Sequence, residues 1–364
     1  MESDDWFFES IKRYKNLSMY DLLQYVTAMD WVSGESLCVG TSNGQKHEIL
    51  ELTLPDKMLA DEKEAKLKKN NDFQVNTGGF PEKQIVDLKH LPDTRFCITA
   101  PKDSTSITLW EMGTTDTDLI QKHNTVTSVV SNNLCTYIDV CNDQTNKYIV
   151  FGSTLDNVTI LDANNMKPIG DTSKSKDGDN ISSLYLKSSN DVYICTNVGD
   201  IYHIDTRTSF HPVICHQHQI CNKNTHWTMD HLNNQSNCLL QVSSDFDACY
   251  YDIRSSKTYL KQLDLYDDHV SRTNNSSLHV KSSADGTKFS INGLDGMVYI
   301  YNTLSLTLED KILEPVFIHK GHVMNSETQT GSLYITSHLW HPWQQDLIIS
   351  AASDCSLHAW QYNL

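Results

Sequence analysis

The sequence predicts an all-β protein that folds as a single closed, seven-bladed β-propeller with a short N-terminal helix. Seven times along the 364 residues, an apolar segment runs through a short polar turn into a second segment that ends on Trp, Tyr, Leu or Ile. A repeat of roughly 40–60 residues that contains only strand-like pieces is typical of propeller blades. The seven closing residues are Leu52, Trp110, Leu161, Ile204, Tyr251, Tyr301 and Trp360.

The segments within each repeat have the composition of buried strands. Ile107–Trp110 and Val298–Tyr301 consist mainly of β-branched and aromatic residues, which favour strands. Asp295-Gly296 and Gly199-Asp200 stand between such segments and suit tight hairpin turns. Because the strands are apolar on both faces, each blade needs a neighbour on either side, and a closed ring of blades provides both.

The chain is divided into a helical segment at 1–17 and a propeller at 18–364. Acidic residues begin the first segment and basic residues end it, which suits the dipole of a short helix. Its apolar stripe is predicted to cap the propeller. Trp6 and Phe8 lie off that stripe, so both are candidate contacts for a partner.

Both ends of the chain are predicted to meet in the last blade. Met19–Leu23 is assigned as the outer strand of that blade, which removes a free sheet edge. Within the first blade, 56–71 is a charged insertion with mixed signs and few large apolar residues. It is expected to be a solvated loop or a loose helix, and ordering on a partner is the alternative.

The last repeat contains residues that can form a buried hydrogen-bond chain. Gly321-His322 opens this repeat, and Asp354 lies six residues before the closing Trp360. A structural tetrad is predicted from these residues: a His–Asp–Ser–Trp chain of His322, Asp354, Ser350 and Trp360. Its role is to stabilise the blade.

No motif in the chain indicates catalysis, a cofactor or a metal. The serine-hydrolase, zinc-protease and Walker patterns are missing from the sequence. His211–His231 is rich in His and Cys, the ligands that zinc prefers, but the interval from Cys215 to Cys221 fits no zinc module. A loop with incidental histidines is the preferred interpretation, so no catalytic, cofactor-binding or metal-ligating residue is predicted.

Composition restricts the choice of partners. The net charge is −17, which argues against direct binding to nucleic acid, since that binding requires Lys and Arg to neutralise phosphates. It favours a basic protein surface, although acidity also serves solubility alone. The ten cysteines are scattered singly, as expected in a reducing compartment. No apolar run approaches the length of a membrane span.

The acidic residues of several loops are predicted to gather on one side of the ring. In a propeller, two kinds of loop lie on the same rim of the ring: the turns between the second and third strands of a blade, and the connections from the outer strand of one blade to the inner strand of the next. We call this side of the ring the loop rim. The candidate partner interface on this rim comprises Asp177, Asp179, Asp245, Asp247, Asp267, Asp268 and Glu327.

Several motifs resemble one branch of the WD40-repeat propellers, the WD repeat-containing protein 73 family. The likeness extends over nearly the whole chain and is weakest between Thr114 and Asn275. Its motifs are Asp4-Asp5-Trp6, Ile49–Pro55, Gly78-Gly79-Phe80, Asp87–Pro92, Gly321-His322, Trp340-His341-Pro342 and Ser356–Trp360.

The resemblance implies a non-enzymatic cytoplasmic scaffold. It implies binding to the RNA endonuclease module of the Integrator complex, which is a heterodimer of one catalytic and one inactive metallo-β-lactamase-type subunit. An acidic rim is expected to cover the active site of that module before nuclear import. The resemblance also implies a HEAT-repeat assembly partner.

The alternative function is that of a cytoskeletal adaptor at microtubules and spindle poles during cell division. Microtubule surfaces are acidic, so a net charge of −17 opposes direct binding unless a basic patch is segregated. Lys63, Lys66, Lys68 and Lys69 in the insertion are the candidate patch. A hydrolase site on a propeller face is the third and weakest alternative.

Overall fold

Seven β-sheets make up the fold in the computed structural model of the chain. The described residues are 12–59, 72–113, 117–127, 135–143, 146–172, 178–217, 225–233, 237–254, 260–265, 278–293, 295–307, 312–324 and 333–363.

The first strand of each blade lies at the axis, and the fourth lies at the periphery. Blade 1 contains β2 (Tyr25–Trp31), β3 (Ser36–Ser42), β4 (His47–Thr53) and β5 (Gln74–Gly79). Blade 2 contains β6 (Ile85–His90), β7 (Phe96–Pro101), β8 (Ser106–Glu111) and β9 (Gln121–Thr127). Blade 3 contains β10 (Tyr137–Asp143), β11 (Asn146–Gly152), β12 (Val158–Asp162) and β13 (Lys167–Asp171). Blade 4 contains β14 (Ile181–Ser188), β15 (Asp191–Thr196), β16 (Ile201–Asp205) and β17 (Val213–His216). Blade 5 contains β18 (Trp227–His231), β19 (Cys238–Ser243), β20 (Asp247–Asp252) and β21 (Lys261–Leu265).

The last two blades differ from a simple four-strand meander. Blade 6 contains β22 (His279–Ser282), β23 (Lys288–Asn292), β24 (Val298–Asn302) and β26 (Phe317–His319), while β25 (Ile312–Leu313) pairs in parallel with β21 of blade 5. Blade 7 contains β27 (Ile335–Trp340), β28 (Leu347–Ala352), β29 (Ser356–Tyr362) and, as its outer strand, β1 (Tyr14–Asp21). Short helices are α1 (Asp56–Leu59), α2 (Gly321–Met324) and the 3-10 turns Leu155–Asn157 and Thr303–Thr307.

The predicted fold is confirmed. All seven predicted closing residues lie on the third strand of their blades, where their side chains pack between neighbouring sheets. Trp360, Tyr301 and Leu161 are completely inaccessible to solvent. The repeat therefore marks one structural position in every blade.

The predicted meeting of the two chain ends is also confirmed. β1 pairs antiparallel with β29 from Tyr14 opposite Tyr362 to Asp21 opposite Ser356. The strand begins at Tyr14, within the segment predicted to be helical, because the Tyr14 ring is buried against Phe317 and Trp360. Lys12 and Arg13 are helical, whereas 1–11 and most of the predicted insertion, 60–71, lie outside the described residues.

Carboxylates on the inner strands join neighbouring blades. Asp30 of blade 1 accepts a 2.7 Å hydrogen bond from the backbone N–H of His90 in blade 2. The same contact recurs between blades 2 and 3, 3 and 4, and 5 and 6. These bonds are Ile138 N–H to Asp87 (2.7 Å), Leu186 N–H to Asp139 (2.7 Å) and Ser282 N–H to Asp230 (3.1 Å).

Removal of residues 1–21 should destabilise the propeller by at least about 3 kcal/mol. The truncation deletes β1, exposes buried side chains and leaves the edge of β29 unpaired. Urea denaturation should show the lower free energy of unfolding, and light scattering should show self-association. Removal of residues 1–11 alone is the control, because it spares β1. Equal denaturation midpoints for the two truncations would show that β1 is dispensable.

Candidate functional site

The four residues of the predicted structural tetrad lie in one hydrogen-bond chain with a fifth member. The Trp360 indole N–H donates to Ser350 Oγ at 3.0 Å, and Ser350 Oγ is hydrogen-bonded to His322 Nε2 at 2.8 Å. His322 Nδ1 lies 2.6 Å from Ser356 Oγ, which donates to Asp354 Oδ1 at 2.6 Å. His322 and Asp354 are thus linked through Ser356, not directly as predicted, because the Ser356 hydroxyl stands between them.

Two further histidines surround this chain. The His358 ring stacks on His322 at 3.7 Å, and the His319 ring stacks on Trp360 at 4.3 Å. His319 is hydrogen-bonded to the Tyr14 hydroxyl at 2.8 Å and to His358 at 3.2 Å. The cluster therefore ties the first strand of the chain to the last blade.

The three histidines do not form a good metal site, although all are buried and close together. The rings of His322 and His358 are nearly parallel, with an angle of 6° between their planes. Their in-plane lone pairs therefore cannot converge on one ion. Both nitrogens of His322 are also committed to serine hydroxyls. The arrangement is structural.

Burial makes this cluster sensitive to acid. It lowers the pKa of His358 to about 3 and, together with neighbouring histidines, holds the pKa values of His319 and His322 well below their ordinary value. These imidazoles stay neutral in the folded protein but become protonated on unfolding below about pH 6.5. The unfolded state then binds more protons, so stability falls as the pH falls.

Trp360→Ala should lower the free energy of unfolding by about 3–5 kcal/mol. The change removes a fully buried aromatic side chain and the donor to Ser350. Trp360→Phe keeps most of the buried area and should cost about 1–2 kcal/mol, since mainly the hydrogen bond is lost. Chemical denaturation of both variants tests the ranking, and a Trp360→Ala midpoint equal to that of the parent would contradict it.

Between pH 6.5 and pH 4, His358 should contribute a stability loss of up to about 1.4 kcal/mol per pH unit, because its pKa is lowered to about 3 in the folded protein. His358→Gln replaces one titrating ring with a neutral amide. The variant should show a shallower dependence of unfolding free energy on pH, whatever its stability at pH 7. Urea denaturation across this range measures the slope, and parallel curves for variant and parent would contradict the assignment.

The loop rim is continuous around the described part of the ring. Connections between blades are hydrogen-bonded to the turns between second and third strands. Examples are Leu22 N–H to the Cys355 carbonyl (2.9 Å), Lys102 N–H to Gln84 (2.7 Å) and Asn197 N–H to Asn180 (2.9 Å). The rim surrounds a funnel of about 500 Å³ lined by the inner strands of the blades, with His226, His279 and Tyr334 among its side chains.

Carboxylates dominate one part of the loop rim. Asp179 and Asp245 lie there as predicted from their positions in the repeat, and Asp156 and Asp200 join them on blades 3 to 5. We call these four residues the acidic arc. The described loop-rim residues of these blades include no Lys or Arg, whereas Lys46, Lys83 and Lys102 lie on blades 1 and 2.

The members of the acidic arc differ in accessibility. Asp179 is exposed, while Asp245 is half-buried and accepts a 2.5 Å hydrogen bond from Thr225. Asp247 begins β20 and accepts a bond from Ser243 at 3.2 Å, so its carboxylate supports the turn. Sequence reasoning missed Asp156, which does not stand out without the blade register. It assigned Gly199-Asp200 to a hairpin turn but did not include Asp200 in the candidate interface. Residues outside the described part of the chain are Asp177, Asp267, Asp268, Glu327, Trp6 and Phe8.

The funnel leads down to a layer of opposite charges. Lys89 lies 3.8 Å from Asp139. Burial alone would lower the pKa of the Lys89 ammonium. The attraction of Asp139, Asp30 and Asp87 is stronger than this effect, so the pKa is raised. Burial raises the pKa values of Asp87 and Asp139. These attractions between Lys89 and the surrounding carboxylates support the inner strands.

The His- and Cys-rich segment is dispersed over the fold. Cys215 lies on the outer strand β17, His226 lines the funnel, and His231 stacks on Tyr185 at 4.4 Å within the inner-strand layer. Cys221 lies outside the described residues. The described members of the segment therefore do not surround one point.

None of the helices in the described ranges is long and apolar enough to cross a bilayer. No protein-family model matches the chain. The chain is 29% identical to a Danio rerio protein named Integrator complex assembly factor WDR73, over 99% of this chain and 96% of that protein. It is 28% identical to the Mus musculus protein and 26% identical to the Homo sapiens protein of the same name, again over at least 97% of both chains. These similarities confirm the resemblance inferred from the motifs.

Proposed function

We propose that this chain, a full-length homologue of the vertebrate Integrator assembly factors named WDR73, is itself a non-enzymatic scaffold for Integrator assembly. The observation that carries the proposal is similarity along the entire propeller, at 26–29% identity, to four curated vertebrate proteins with that one name. A propeller suits this role because its rigid ring presents a broad surface to other proteins.

The partner in this proposal is the RNA endonuclease module of Integrator, the heterodimer of catalytic and inactive metallo-β-lactamase-type subunits. An enzyme that binds RNA presents positive potential, because it must attract phosphates. The acidic arc offers the complementary potential, and the net charge of −17 strengthens it at long range. The scaffold would occupy the RNA-binding surface of the module and cover its active site during assembly. A HEAT-repeat protein is the second partner in this scheme.

Assembly takes place in the cytoplasm in this proposal, before nuclear import of the module. All described cysteines are free thiols, which suits a reducing compartment. The role requires no chemistry from the propeller, and its buried histidines and channel carboxylates have structural partners. The cytoskeletal alternative depends on Lys63, Lys66, Lys68 and Lys69, which lie outside the described residues, and no observation favours it.

Asp179→Lys should slow association with the purified nuclease heterodimer. Asp179 is exposed on the acidic arc, and its carboxylate accepts no hydrogen bond among the described residues, since only its backbone carbonyl does, from Leu155 N–H at 3.0 Å. Its reversal should therefore change the electrostatic potential and not the stability. The association rate should fall about two- to fivefold at low salt, which corresponds to about 0.4–1 kcal/mol. The wild-type rate itself should fall as salt rises, because salt screens the attraction.

Glu35→Lys is the matched control. Glu35 is exposed in the turn between β2 and β3, on the side of the ring opposite the loop rim, and the charge change is identical. Stopped-flow or biolayer kinetics at several salt concentrations should separate the two variants. Equal rates for both would place the contact away from the acidic arc, and absence of any complex with the wild type would reject the proposed function.

A further inference from the structure

A cleft between blades 1 and 2 is open to solvent and chemically unlike the acidic arc. It has a volume of about 580 Å³, within the range of ligand-binding pockets. Phe80 and Leu119 form its margin and are 75% and 53% exposed. Ile120 and Trp110 are buried side chains of its wall. Large apolar side chains this exposed at the edge of one cleft indicate a contact surface.

A short segment of blade 2 is hydrogen-bonded to the outer strand of blade 1 beside the cleft. The segment 117–120, which precedes β9 of blade 2, lies along the outer strand of blade 1. Gly78 N–H donates to the Asp118 carbonyl at 2.9 Å, and Ile120 N–H donates to the Gly78 carbonyl at 2.7 Å. A Cβ atom at Gly79 would lie 2.6 Å from the Ile120 carbonyl oxygen, so this close approach requires glycine. The opening is therefore preformed, which lowers the entropic cost of binding.

The polar groups of the cleft favour an anionic and extended ligand. The charged residues lining the cleft are Lys83, Lys122 and Glu82, so positive charge is in excess, and neither lysine has a carboxylate within salt-bridge distance among the described residues. The Lys83 ammonium reaches only the Asp103 carbonyl, at 3.5 Å. Hydroxyl groups of Thr99, Thr108 and Thr125 lie on the wall formed by blade 2. Thr99 and Thr108 are buried, and the Thr99 hydroxyl accepts a hydrogen bond from the Trp110 indole at 2.8 Å. The exposed hydroxyl of Thr125 is therefore the one that can bond the backbone of a peptide.

We propose that this cleft binds an extended segment of the nuclease module that carries both acidic and large apolar side chains. The apolar side chains enter between Phe80, Leu119 and Ile120, and the carboxylates pair with Lys83 and Lys122. Two lysines are too few to hold a nucleic acid by phosphate contacts. The identity of the partner rests on the proposed function. The chemistry of the bound segment rests on the lining of the cleft alone.

Two double variants test the two halves of this contact with the purified heterodimer. Phe80→Ser with Leu119→Ser removes the apolar margin, and Lys83→Glu with Lys122→Glu reverses the charge. All four positions are exposed, so both proteins should keep the parental melting temperature. Each should bind at least about tenfold more weakly, and the apolar pair should act mainly through faster dissociation.

The controls carry the same changes at other exposed positions. Trp343→Ser with Leu304→Ser alters side chains that are 73% and 69% exposed outside the cleft. Lys15→Glu with Lys167→Glu reverses two exposed lysines on blades 7 and 3. Both controls should bind within about twofold of the parent. Equal losses in controls and cleft variants would overturn the assignment of the cleft.

A photoreactive phenylalanine analogue at position 80 identifies the occupant. The expected product is a crosslink to a nuclease-module peptide that contains both Asp or Glu and large apolar residues. A crosslink only to this chain, in the same molecule or a second copy, would overturn the proposal, as would a basic module peptide. Failure of the wild type to bind the module would instead reject the proposed function, whereas unimpaired binding by both cleft variants rejects this inference alone.

Discussion

The inner strand of every blade presents one edge to the channel, and no further strand covers its backbone N–H groups. A ring of blades closes stably only when such groups find acceptors. Asp30, Asp87, Asp139 and Asp230 supply them by reaching across four of the junctions between blades. Part of the acidity of this chain is therefore structural. These carboxylates hold the blades in register and are not available to a partner, so the charge of the loop rim must be judged from its own residues.

The last blade differs from the others because it is formed by both ends of the chain. β1 supplies the hydrogen bonds of a missing outer strand, and Tyr14 anchors it through His319 to the buried cluster around Trp360. A buried polar chain is stabilising only when its members are satisfied. Here indole, hydroxyl, imidazole and carboxylate groups follow one another from Trp360 to Asp354. The same burial that makes these bonds strong makes protonation of the histidines costly.

The sequence was sufficient to predict the blades and their closing residues, because each repeat is local and its strands are apolar on both faces. The sequence also predicted that His322 and Trp360 belong to one hydrogen-bond chain, since both lie in one repeat. The role of Ser356 could not be predicted, because Ser and Asp two residues apart offer similar acceptors until the turn is known. The partner of Asp87 could not be predicted either, because Ile138 belongs to the neighbouring blade. The start of β1 was missed because Tyr14 was included in the predicted helical segment, and its strand partner Tyr362 lies at the other end of the chain.

Acidic and basic side chains lie on different parts of the ring, which the net charge alone does not show. The acidic arc lies on blades 3 to 5, while Lys83 and Lys122 flank an apolar cleft at blades 1 and 2. A partner that engages both must present positive potential to one side and an acidic, apolar segment to the other. Rotation of that partner about the propeller axis would place like charges together, which costs more than the loss of one contact. In the proposed complex, attraction to the acidic arc would accelerate encounter, and insertion into the cleft would fix the angle at which the complex forms.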